Sequence, residues 1–403
     1  MPTPDSLVIE VPILDEDPFS HEILSSPYGF HERLREAGPV VYLPKYDIYA
    51  MGRYEHVHSA LQNWETFLSG RGVGLTDFKK EKPWRAPSLL LEADPPDHTG
   101  FRKVMNGVLT PRVVRTLRTT FHKAAEELAE KLARRKSFDL VADLAEVYPI
   151  KVFPDALGIS EEGRENLLPY GALAFNAFGP KNDLLEQALA TAAPVQEWIM
   201  AQCGREKLAP GGFGAAIWDA ADRGEITPEQ APLLVRSLLG AGLDTTVYGI
   251  GNTMYGLSLH PEQWETIHSE PNLAKFAFDE ALRFESPVQT FFRTTSRSVE
   301  VEGIHLAEGT KVLLFLGSAN RDPRKWGDTA SQLDVRRNAA GHVAFGMGVH
   351  QCVGQPVARL EAELVVNALA RRIKRIELDG EPVPKLNNTL KGWTSVPVKV
   401  TPA

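Results

Sequence analysis

The stretch at residues 343–360 reads V-A-F-G-M-G-V-H-Q-C-V-G-Q-P-V-A-R-L and sets Cys352, one of two cysteines in the chain, before a helical pattern. The pattern predicts a helix over 354–376. The apolar face of that helix consists of Val357, Leu360, Leu364, Leu369 and Ile373. Free N–H groups and partial positive charge at a helix start favour a thiolate and lower the pKa of a thiol. A single cysteine is more often a small buried core residue, which is our interpretation of Cys203.

Composition limits the class of protein. The chain has 403 residues, of which 43% are hydrophobic and 24% charged, as in ordinary globular proteins. A formal net charge of −8 argues against general binding to nucleic acids or anionic membranes. Two cysteines cannot build a disulfide framework, residues 1–10 lack an export signal, and no run approaches the roughly 20 apolar residues of a membrane span. We therefore expect a cytoplasmic monomer that binds neither membranes nor nucleic acids.

Helical patterns dominate the middle of the chain, and the strand-like segments are short. The expected helical core covers 101–285 and 354–376, and the expected β-rich parts lie near 36–66, 291–316 and 375–403. Loops are expected over 71–97 and 317–352. No clear linker divides the chain, so we expect a single domain over residues 1–403 that is mainly α with a minor β portion.

The loop around Cys352 matches a known motif. The pattern F-G-x-G-x-H-x-C-x-G is met by Phe345, Gly346, Gly348, His350, Cys352 and Gly354. It resembles the haem-binding loop of the cytochrome P-450 superfamily. The resemblance implies the fold of that family, a helical domain around haem with a small β-rich region. It also implies haem b as the cofactor, with the Cys352 thiolate as axial iron ligand and dioxygen as cosubstrate.

The helix predicted over residues 231–256 contains an internal conflict. Leucines on both sides indicate burial, yet G-A-G-L-D-T-T at 240–246 puts glycines, an aspartate and threonines at the centre, where each glycine costs about 1 kcal/mol against alanine. Such conflicts are expected at functional sites. The segment resembles the oxygen-activating helix of the same family. The resemblance implies that Ala241 and Gly242 pass close to haem. It also implies that Thr245 bonds to the oxygen under activation while Asp244 relays protons from solvent.

Further matches to the family follow in chain order. Glu280 and Arg283 are an i,i+3 pair, which alone indicates only a surface salt bridge. In this position the pair resembles the structural E-x-x-R pair of the family, and we expect Arg336 as its third member. Thr329 and Leu333 depart from the residues that are frequent in the intervening loop. The cations that match the haem-propionate ligands of the family are His98, Arg102, Arg293 and His350.

The substrate loop carries the most specific resemblance. Residues 71–91, R-G-V-G-L-T-D-F-K-K-E-K-P-W-R-A-P-S-L-L-L, are similar to bacterial members that oxidise para-substituted benzoic acids. A buried carboxylate needs donors because an unpaired buried charge is costly. The resemblance implies that Arg85, Ser88 and Ser237 supply them, with Arg236 nearby. The residues expected to clamp the ring are Leu91, Phe175, Phe178, Ala241, Val288 and Phe291. We expect oxidative demethylation of para-methoxybenzoate and hydroxylation of para-alkyl benzoates.

Electrons must come from another protein, because nothing in the chain resembles a flavin, nicotinamide or iron–sulfur domain. From His98 to Ala125 there is no acidic residue. The basic residues there are Arg102, Lys103, Arg112, Arg115, Arg118 and Lys123. This segment is either a solvated helix face or a docking patch for an acidic iron–sulfur ferredoxin, which a separate NAD(P)H-dependent reductase would reduce.

Other functions stay open on the sequence. The substrate could be another small aromatic compound or a terpenoid. The chain could also be a haem-based sensor with thiolate ligation, although a sensor has no need of the D-T-T segment. A third class is a cysteine hydrolase that uses Cys352 and a histidine, although His350 lies only two residues away on a loop and no partner acid is evident.

Overall fold

The chain folds as a set of packed helices with small antiparallel and mixed sheets at their margin. The structure is a computed structural model that describes residues 10–403. Helices predominate over short strands, which confirms the expected mainly α class with a minor β portion. Within this range no helix combines the length and apolar composition that crossing a membrane requires. The expectation about an export signal concerns residues that, up to position 9, lie outside the described range.

The helices begin where the sequence supplies caps or prolines. The longest one follows Thr110, whose side chain accepts from Val113 N, and has Pro111 in its first turn. The α-helices are α1 (His21–Ser25), α2 (Tyr28–Ala37), α3 (Tyr54–Gln62), α4 (Asp97–Val108), α5 (Pro111–Arg135), α6 (Val147–Leu157), α7 (Leu167–Asn176), α8 (Asp183–Ala192), α9 (Gln196–Gln202), α10 (Phe213–Asp222), α11 (Ala231–Gly242), α12 (Asp244–Leu259), α13 (Pro261–Ser269), α14 (Ala274–Glu285), α15 (Leu316–Ala319), α16 (Pro323–Trp326) and α17 (Gln355–Ala370). A π-helical segment, Leu140–Ala145, precedes α6.

The strands pair into small sheets beside the helices. They are β1 (Val41–Leu43), β2 (Ile48–Met51), β3 (Phe67–Leu68), β4 (Ser137–Asp139), β5 (Thr290–Thr295), β6 (Val299–Val301), β7 (Ile304–Leu306), β8 (Lys311–Phe315), β9 (Ile373–Leu378), β10 (Val383–Lys385), β11 (Gly392–Ser395) and β12 (Pro397–Pro402). The largest sheet has the order β1-β2-β8-β5-β3 and a second one the order β4-β12-β9. In the first sheet β2 and β8 run parallel, and the remaining pairs are antiparallel.

The main core is centred on α12 and α17. Most residues of α12 are buried, including polar ones such as Asn252 and Thr253, so this helix lies inside the core and not on its surface. α17 packs against α5, α14 and α12, and its buried residues include Val357 and Leu364. These two helices therefore form a fixed frame for the loops between them.

Several element boundaries differ from those expected. α17 ends at Ala370, and Ile373 begins strand β9 instead of continuing the helix. Ile373 is buried all the same, so its apolar character indicated burial but could not distinguish helix from strand. The part near 36–66 contains α3 between its strands, and the loop expected over 317–352 includes the short helices α15 and α16.

The Glu280–Arg283 pair is a buried structural unit. Arg283 donates from Nε to Glu280 Oε2 at 2.7 Å and from Nη2 to Glu280 Oε1 at 2.8 Å, and both side chains are fully buried. Arg283 Nη1 also donates to the carbonyl oxygens of Asn320 and Ala330, at 2.9 and 2.7 Å. The pair therefore ties the long loop after β8 to helix α14.

The third member of this unit is Arg337, and the expectation of Arg336 is wrong. Arg337 Nε donates to Glu280 Oε1 at 3.1 Å. Arg336 is exposed and pairs with Glu270. The backbone N–H of Asp334 also donates to Glu280 Oε1, at 3.0 Å, and this anchors the turn that directs the second of the two adjacent arginines inward. A sequence cannot tell which of two neighbouring arginines a turn directs inward.

Candidate active site

The loop that carries Cys352 is held in shape by backbone contacts. The N–H of Cys352 donates to Phe345 O at 2.8 Å, which closes the loop across Gly346 and Gly348. Both glycines have a φ of +66°, a conformation that is unfavourable for residues with a side chain. A Cβ at Gly348 would also lie 3.1 Å from the carbonyl oxygen of Leu61 in α3. The motif therefore fixes the position of the cysteine through backbone geometry.

The thiol of Cys352 is not made acidic by the protein alone. Burial raises its pKa, whereas the backbone N–H groups of Gly354 and Gln355 and the guanidinium of Arg102 lower it. The N–H groups at the helix start thus lower the thiol pKa as expected, but burial outweighs them and the net direction is upward. A metal ion deprotonates a thiol that coordinates it. The anionic sulfur that an iron ligand requires would therefore arise on coordination.

A second wall of the site is formed by α11 and α12, which are two helices and not the single helix expected. The interruption falls at Leu243, where φ is −94° and ψ is −63°. Thr245 Oγ1 donates to Ala241 O at 2.8 Å, and Thr246 Oγ1 donates to Gly242 O at 3.0 Å. The threonine hydroxyls thus bond carbonyl groups beside the break and stabilise it. The polar residues that conflict with the leucine pattern are therefore the ones found at the interruption between α11 and α12.

Asp244 begins α12 and is almost fully buried. Its carboxyl packs against Gly171 of α7, where an added Cβ would collide with Oδ2. Oδ1 is buried and has no hydrogen-bond partner within residues 10–403. Burial raises the pKa of Asp244 to about 7, while Lys385 lowers it and Glu146 raises it further. A carboxyl with this pKa can gain and lose a proton at neutral pH, which is what the expected relay role requires.

A cavity of about 260 Å³ lies between the cysteine loop and the α11–α12 break. Most of the residues expected to bind the cofactor line this cavity, and so does Thr245. The cofactor residues that line it are Cys352, Arg102, Arg293, His350, Ala241, Gly242, Phe345, Gly346 and Gly354. From the expected substrate set it is lined by Arg85, Ser88, Leu91, Phe175, Phe178, Arg236, Ser237, Ala241, Val288 and Phe291. His98 and Asp244 are not among the residues that line it. The structure thus brings together residues that are up to about 270 positions apart in the chain.

Of the four residues expected to bind the haem propionates, Arg102, Arg293 and His350 line the cavity, and His98 lies beside His350. The rings of His98 and His350 have centroids 4.5 Å apart, and Arg102 donates to Gln351 O. His98 Nε2 is buried without a hydrogen-bond partner in the described part of the chain. Arg293 is buried, and burial lowers its pKa to about 10. A bound anionic group would satisfy these donors, so the residues present fit haem with its propionates.

A hydrolytic pair is not formed at Cys352. His350 Nδ1 lies 3.2 Å from Leu90 O, and His350 Nε2 lies 3.4 Å from Asp94 Oδ1. Across residues 10–403 the hydrogen bonds include none between Cys352 Sγ and a histidine. A nucleophilic cysteine needs a base within reach, so the arrangement argues against a cysteine hydrolase.

Polar side chains from two segments meet on one part of the cavity wall. Ser88 Oγ and Ser237 Oγ are 3.1 Å apart, and Arg236 Nη2 donates at 2.7 Å to a backbone carbonyl of the substrate loop. Arg85 Nη1 donates to Glu92 Oε2 at 2.9 Å, and the same oxygen accepts from Ser88 N at 2.7 Å. Sequence reasoning missed Glu92, because a spacing of seven residues in an irregular loop predicts no contact.

Aromatic rings form the apolar part of the wall. Phe175 and Phe178 meet edge to face with centroids 5.8 Å apart, and Phe178 and Phe291 do so at the same distance. The backbone N–H of Leu75 donates to Phe178 O at 2.9 Å. The substrate loop and the end of α7 are therefore joined directly beside the expected ring clamp.

Glu361 is a second cavity residue that sequence reasoning missed. It lies on α17, it is fully buried, and neither carboxyl oxygen has a hydrogen-bond partner within residues 10–403. Burial raises the pKa of its carboxyl well above the ordinary value. A signal existed, since Glu361 stands between Val357 and Leu364 at the spacing of the apolar helix face.

Comparisons with known proteins agree on one family. A family model described as Cytochrome P450 matches residues 215–401. The chain is 56% identical over 402 residues to Cytochrome p450 CYP199A2 of Rhodopseudomonas palustris, covering 100% of this chain and 97% of that protein. It is 30% identical over 397 residues to Beta-dihydromenaquinone-9 omega-hydroxylase of Mycobacterium bovis, covering 97% and 79%. The solved structure of cytochrome P450 CREJ in complex with (4-ethylphenyl) dihydrogen phosphate has a TM-score of 0.85 at 26% identity and covers 96% of this chain and 99% of that one.

Proposed function

The chain belongs to the cytochrome P450 family, and we propose that it oxidises the para substituent of benzoic acids, for example by demethylating para-methoxybenzoate. As a member it is a monooxygenase whose cofactor is thiolate-ligated haem and whose cosubstrate is dioxygen. When bound, that haem supplies the chemistry that inserts one oxygen atom of dioxygen into a substrate. Cys352 would hold the haem iron through its sulfur. We also propose that residues 1–403 form one catalytic unit, since residues near 85 and near 352 line one cavity.

The observation that carries the substrate proposal is a cluster of donors on the wall of the cavity that Cys352 lines. The cluster consists of Arg85, Ser88, Arg236 and Ser237. Two guanidinium groups lie here among largely apolar surroundings, and burial and the neighbouring Arg85 both lower the pKa of Arg236. A carboxylate would offset this positive charge and would accept from both the guanidinium and hydroxyl groups. A neutral analogue would leave the net positive charge of these donors uncompensated.

The rest of the cavity supports an aromatic ring between the donor cluster and the cysteine loop. Phe175, Phe178 and Phe291 present ring faces and edges, and Leu91 and Val288 fill the remaining wall. Because a carboxylate anchored at one end fixes the ring, the substituent opposite the carboxylate is the one held for reaction. This geometry supports oxidation at the para position.

Asp244 and Thr245 handle protons in this proposal. The Thr245 hydroxyl lies on the cavity wall, where its present acceptor is Ala241 O. The carboxyl of Asp244 adjoins it in the chain and has a pKa of about 7 because of burial. Asp244 can therefore take up a proton from solvent and supply it to the threonine side of the cavity.

The electron donor in this proposal is an acidic iron–sulfur ferredoxin, itself reduced by a separate NAD(P)H-dependent reductase. Part of the expected basic docking patch is paired with acidic residues or turned away from solvent. Arg118 pairs with Glu363 at 3.0 Å, Lys123 lies 3.9 Å from Glu127, and Arg102 turns towards the cysteine loop. The basic side chains that stay exposed, without an ion pair in the described range, are Lys103, Arg112 and Arg115. These three residues are the proposed docking patch.

Spectral titration of the haem-loaded protein tests the substrate. Para-methoxybenzoate and para-methoxybenzyl alcohol differ at the carboxylate end and share the methoxy group. We expect the acid to bind at least about 100-fold more tightly, because the alcohol leaves the net positive charge of the donor cluster uncompensated. Equal affinities for the two compounds would overturn the carboxylate proposal.

A further inference from the structure

We infer that Glu92 sets the net charge of the acid-binding cluster and thereby selects singly charged over doubly charged anions. The inference rests on the proposed function, because it concerns how that same cluster recognises its acid. It assigns to this residue a role in specificity that goes beyond the binding of a carboxylate.

Glu92 holds one edge of the Arg85 guanidinium and leaves the rest available. Glu92 is 8% exposed and is not part of the cavity wall, so a ligand would meet Arg85 and not Glu92. Within residues 10–403 the hydrogen bonds of Arg85 run from Nη1, to Glu92 Oε2 and to Ala86 O, both at 2.9 Å. Trp84 lies against the guanidinium with a ring centroid 5.4 Å away. Nε and Nη2 of Arg85 therefore remain for a bound anion.

The charges of the donor cluster and Glu92 together sum to +1. The charged side chains that act on Arg236 are Arg85, which lowers its pKa, and Glu92, which raises it. Two guanidinium groups and one carboxylate leave a single positive charge. A monoanion neutralises that charge. A dianion leaves an uncompensated negative charge in a largely apolar cavity, which is costly.

Two ligands with the same ethyl group compare a monoanion with a dianion. Para-ethylbenzoate carries one charge, whereas para-ethylphenyl phosphate carries close to two above a second pKa of about 6. Both present the same ethyl group to the other end of the cavity. The phosphate is the ligand, as its acid form, in the related structure of cytochrome P450 CREJ. A difference between the two ligands therefore reports on the acid end alone.

The deciding variant is Glu92→Gln. A glutamine oxygen can still accept from Arg85 and from Ser88 N, so the geometry is kept while the net charge rises from +1 to +2. We expect the wild type to prefer the benzoate. We expect Glu92→Gln to shift the ratio of the two dissociation constants towards the phosphate by at least about tenfold, measured by spectral titration near pH 8. Glu81→Gln is the matched control, because Glu81 is exposed in the same loop and pairs with Lys181 at 3.1 Å.

The outcomes separate the inference from the proposed function. An unchanged ratio in Glu92→Gln, or an equal shift in Glu81→Gln, overturns the role of Glu92. If Glu92→Gln does not retain haem, Glu92→Ser replaces it. The same shift in the ratio is expected, and an unchanged ratio again overturns the role of Glu92. The proposed function fails separately, when wild-type protein binds para-ethylbenzyl alcohol as tightly as para-ethylbenzoate.

Discussion

The two ends of the cavity are built in different ways. At the cysteine end the backbone sets position, since Cys352 N–H bonds to a carbonyl of its own loop and Gly346 and Gly348 adopt positive φ. At the acid end side chains set position by pairing with one another, as Arg85 does with Glu92. The first end therefore depends on a short contiguous stretch of sequence. The second depends on a balance of charges contributed by separate segments.

The largest effect is expected from removing the sulfur at the cysteine end. Cys352→Ala deletes the only proposed protein ligand of the iron, so we expect complete loss of monooxygenase activity and of the thiolate signature in the spectrum of the reduced, carbon monoxide-bound protein. Cys203→Ala is the control, because Cys203 is buried in the core and its Sγ donates to Ile199 O. A thiolate spectrum that survives in Cys352→Ala would contradict the assignment.

At the acid end, Arg85→Ala should weaken binding of para-methoxybenzoate by roughly 100-fold. Truncating one partner of a buried charge pair costs about 2–5 kcal/mol, and here the change also leaves Glu92 without its Arg85 partner. Spectral titration with the acid and with para-methoxybenzyl alcohol measures the difference. Equal weakening for the acid and the alcohol would mean that Arg85 supports the cavity and does not recognise the carboxylate.

Between the two ends, Asp244→Asn should slow product formation by about 100-fold or more, because general acid catalysis typically contributes about 100- to 10,000-fold. Affinity for the acid and the haem spectrum should stay unchanged, since Asp244 does not line the cavity. Product formed per NADH consumed and the hydrogen peroxide released are the measured quantities. Wild-type rates in the variant would remove Asp244 from the proton route.

The same residue gives a dependence of stability on pH. An unfolded aspartate titrates near 3.8 and Asp244 at about 7, so between these values the folded protein keeps a proton that the unfolded chain has lost. This contribution to stability is complete below pH 3.8 and is lost as pH rises through about 7, in total about 4 kcal/mol. Asp244→Asn should therefore gain stability relative to the wild type from about pH 4 to about pH 7. The free energy of unfolding of the variant and of the wild type is measured at about pH 4 and at about pH 7. If the difference between the two proteins is the same at both pH values, the burial argument is contradicted.

The smallest effect is expected at the proposed docking patch. Arg112→Glu should slow the first electron transfer from an acidic ferredoxin severalfold at low salt, and the difference should shrink near 1 M salt, where screening acts within about 3 Å. Lys374→Glu is the control, since Lys374 is exposed but lies on β9, outside the patch. Reduction that does not depend on salt would argue against electrostatic docking there.

The sequence alone predicted the cysteine end well because its constraints are local. Gly346, Gly348 and Cys352 stand within seven residues, and the required φ values follow from residue type. The mainly α class followed from helical periodicity in the same way. The family and its haem chemistry are confirmed by the relatives, whereas the benzoate substrate stays a prediction.

The features that the sequence could not predict depend on contacts between segments that are distant in the chain or joined by an irregular loop. The partner of Arg85 is Glu92 because an irregular loop folds back, and Arg337 faces Glu280 in place of Arg336 because a turn at Asp334 is anchored there. The upward shift of the Cys352 pKa likewise follows from burial, which outweighs the local effect of the helix start. In each case the deciding neighbour lies elsewhere in the fold.

A crystal structure of the haem-loaded protein with para-methoxybenzoate tests the two-ended account most directly. The account predicts the carboxylate within hydrogen-bond distance of Arg85 and of the Ser88–Ser237 pair, with the methoxy group at the end of the cavity lined by Thr245 and Cys352. A ligand bound in the reverse orientation, or a carboxylate held by other residues, would contradict it.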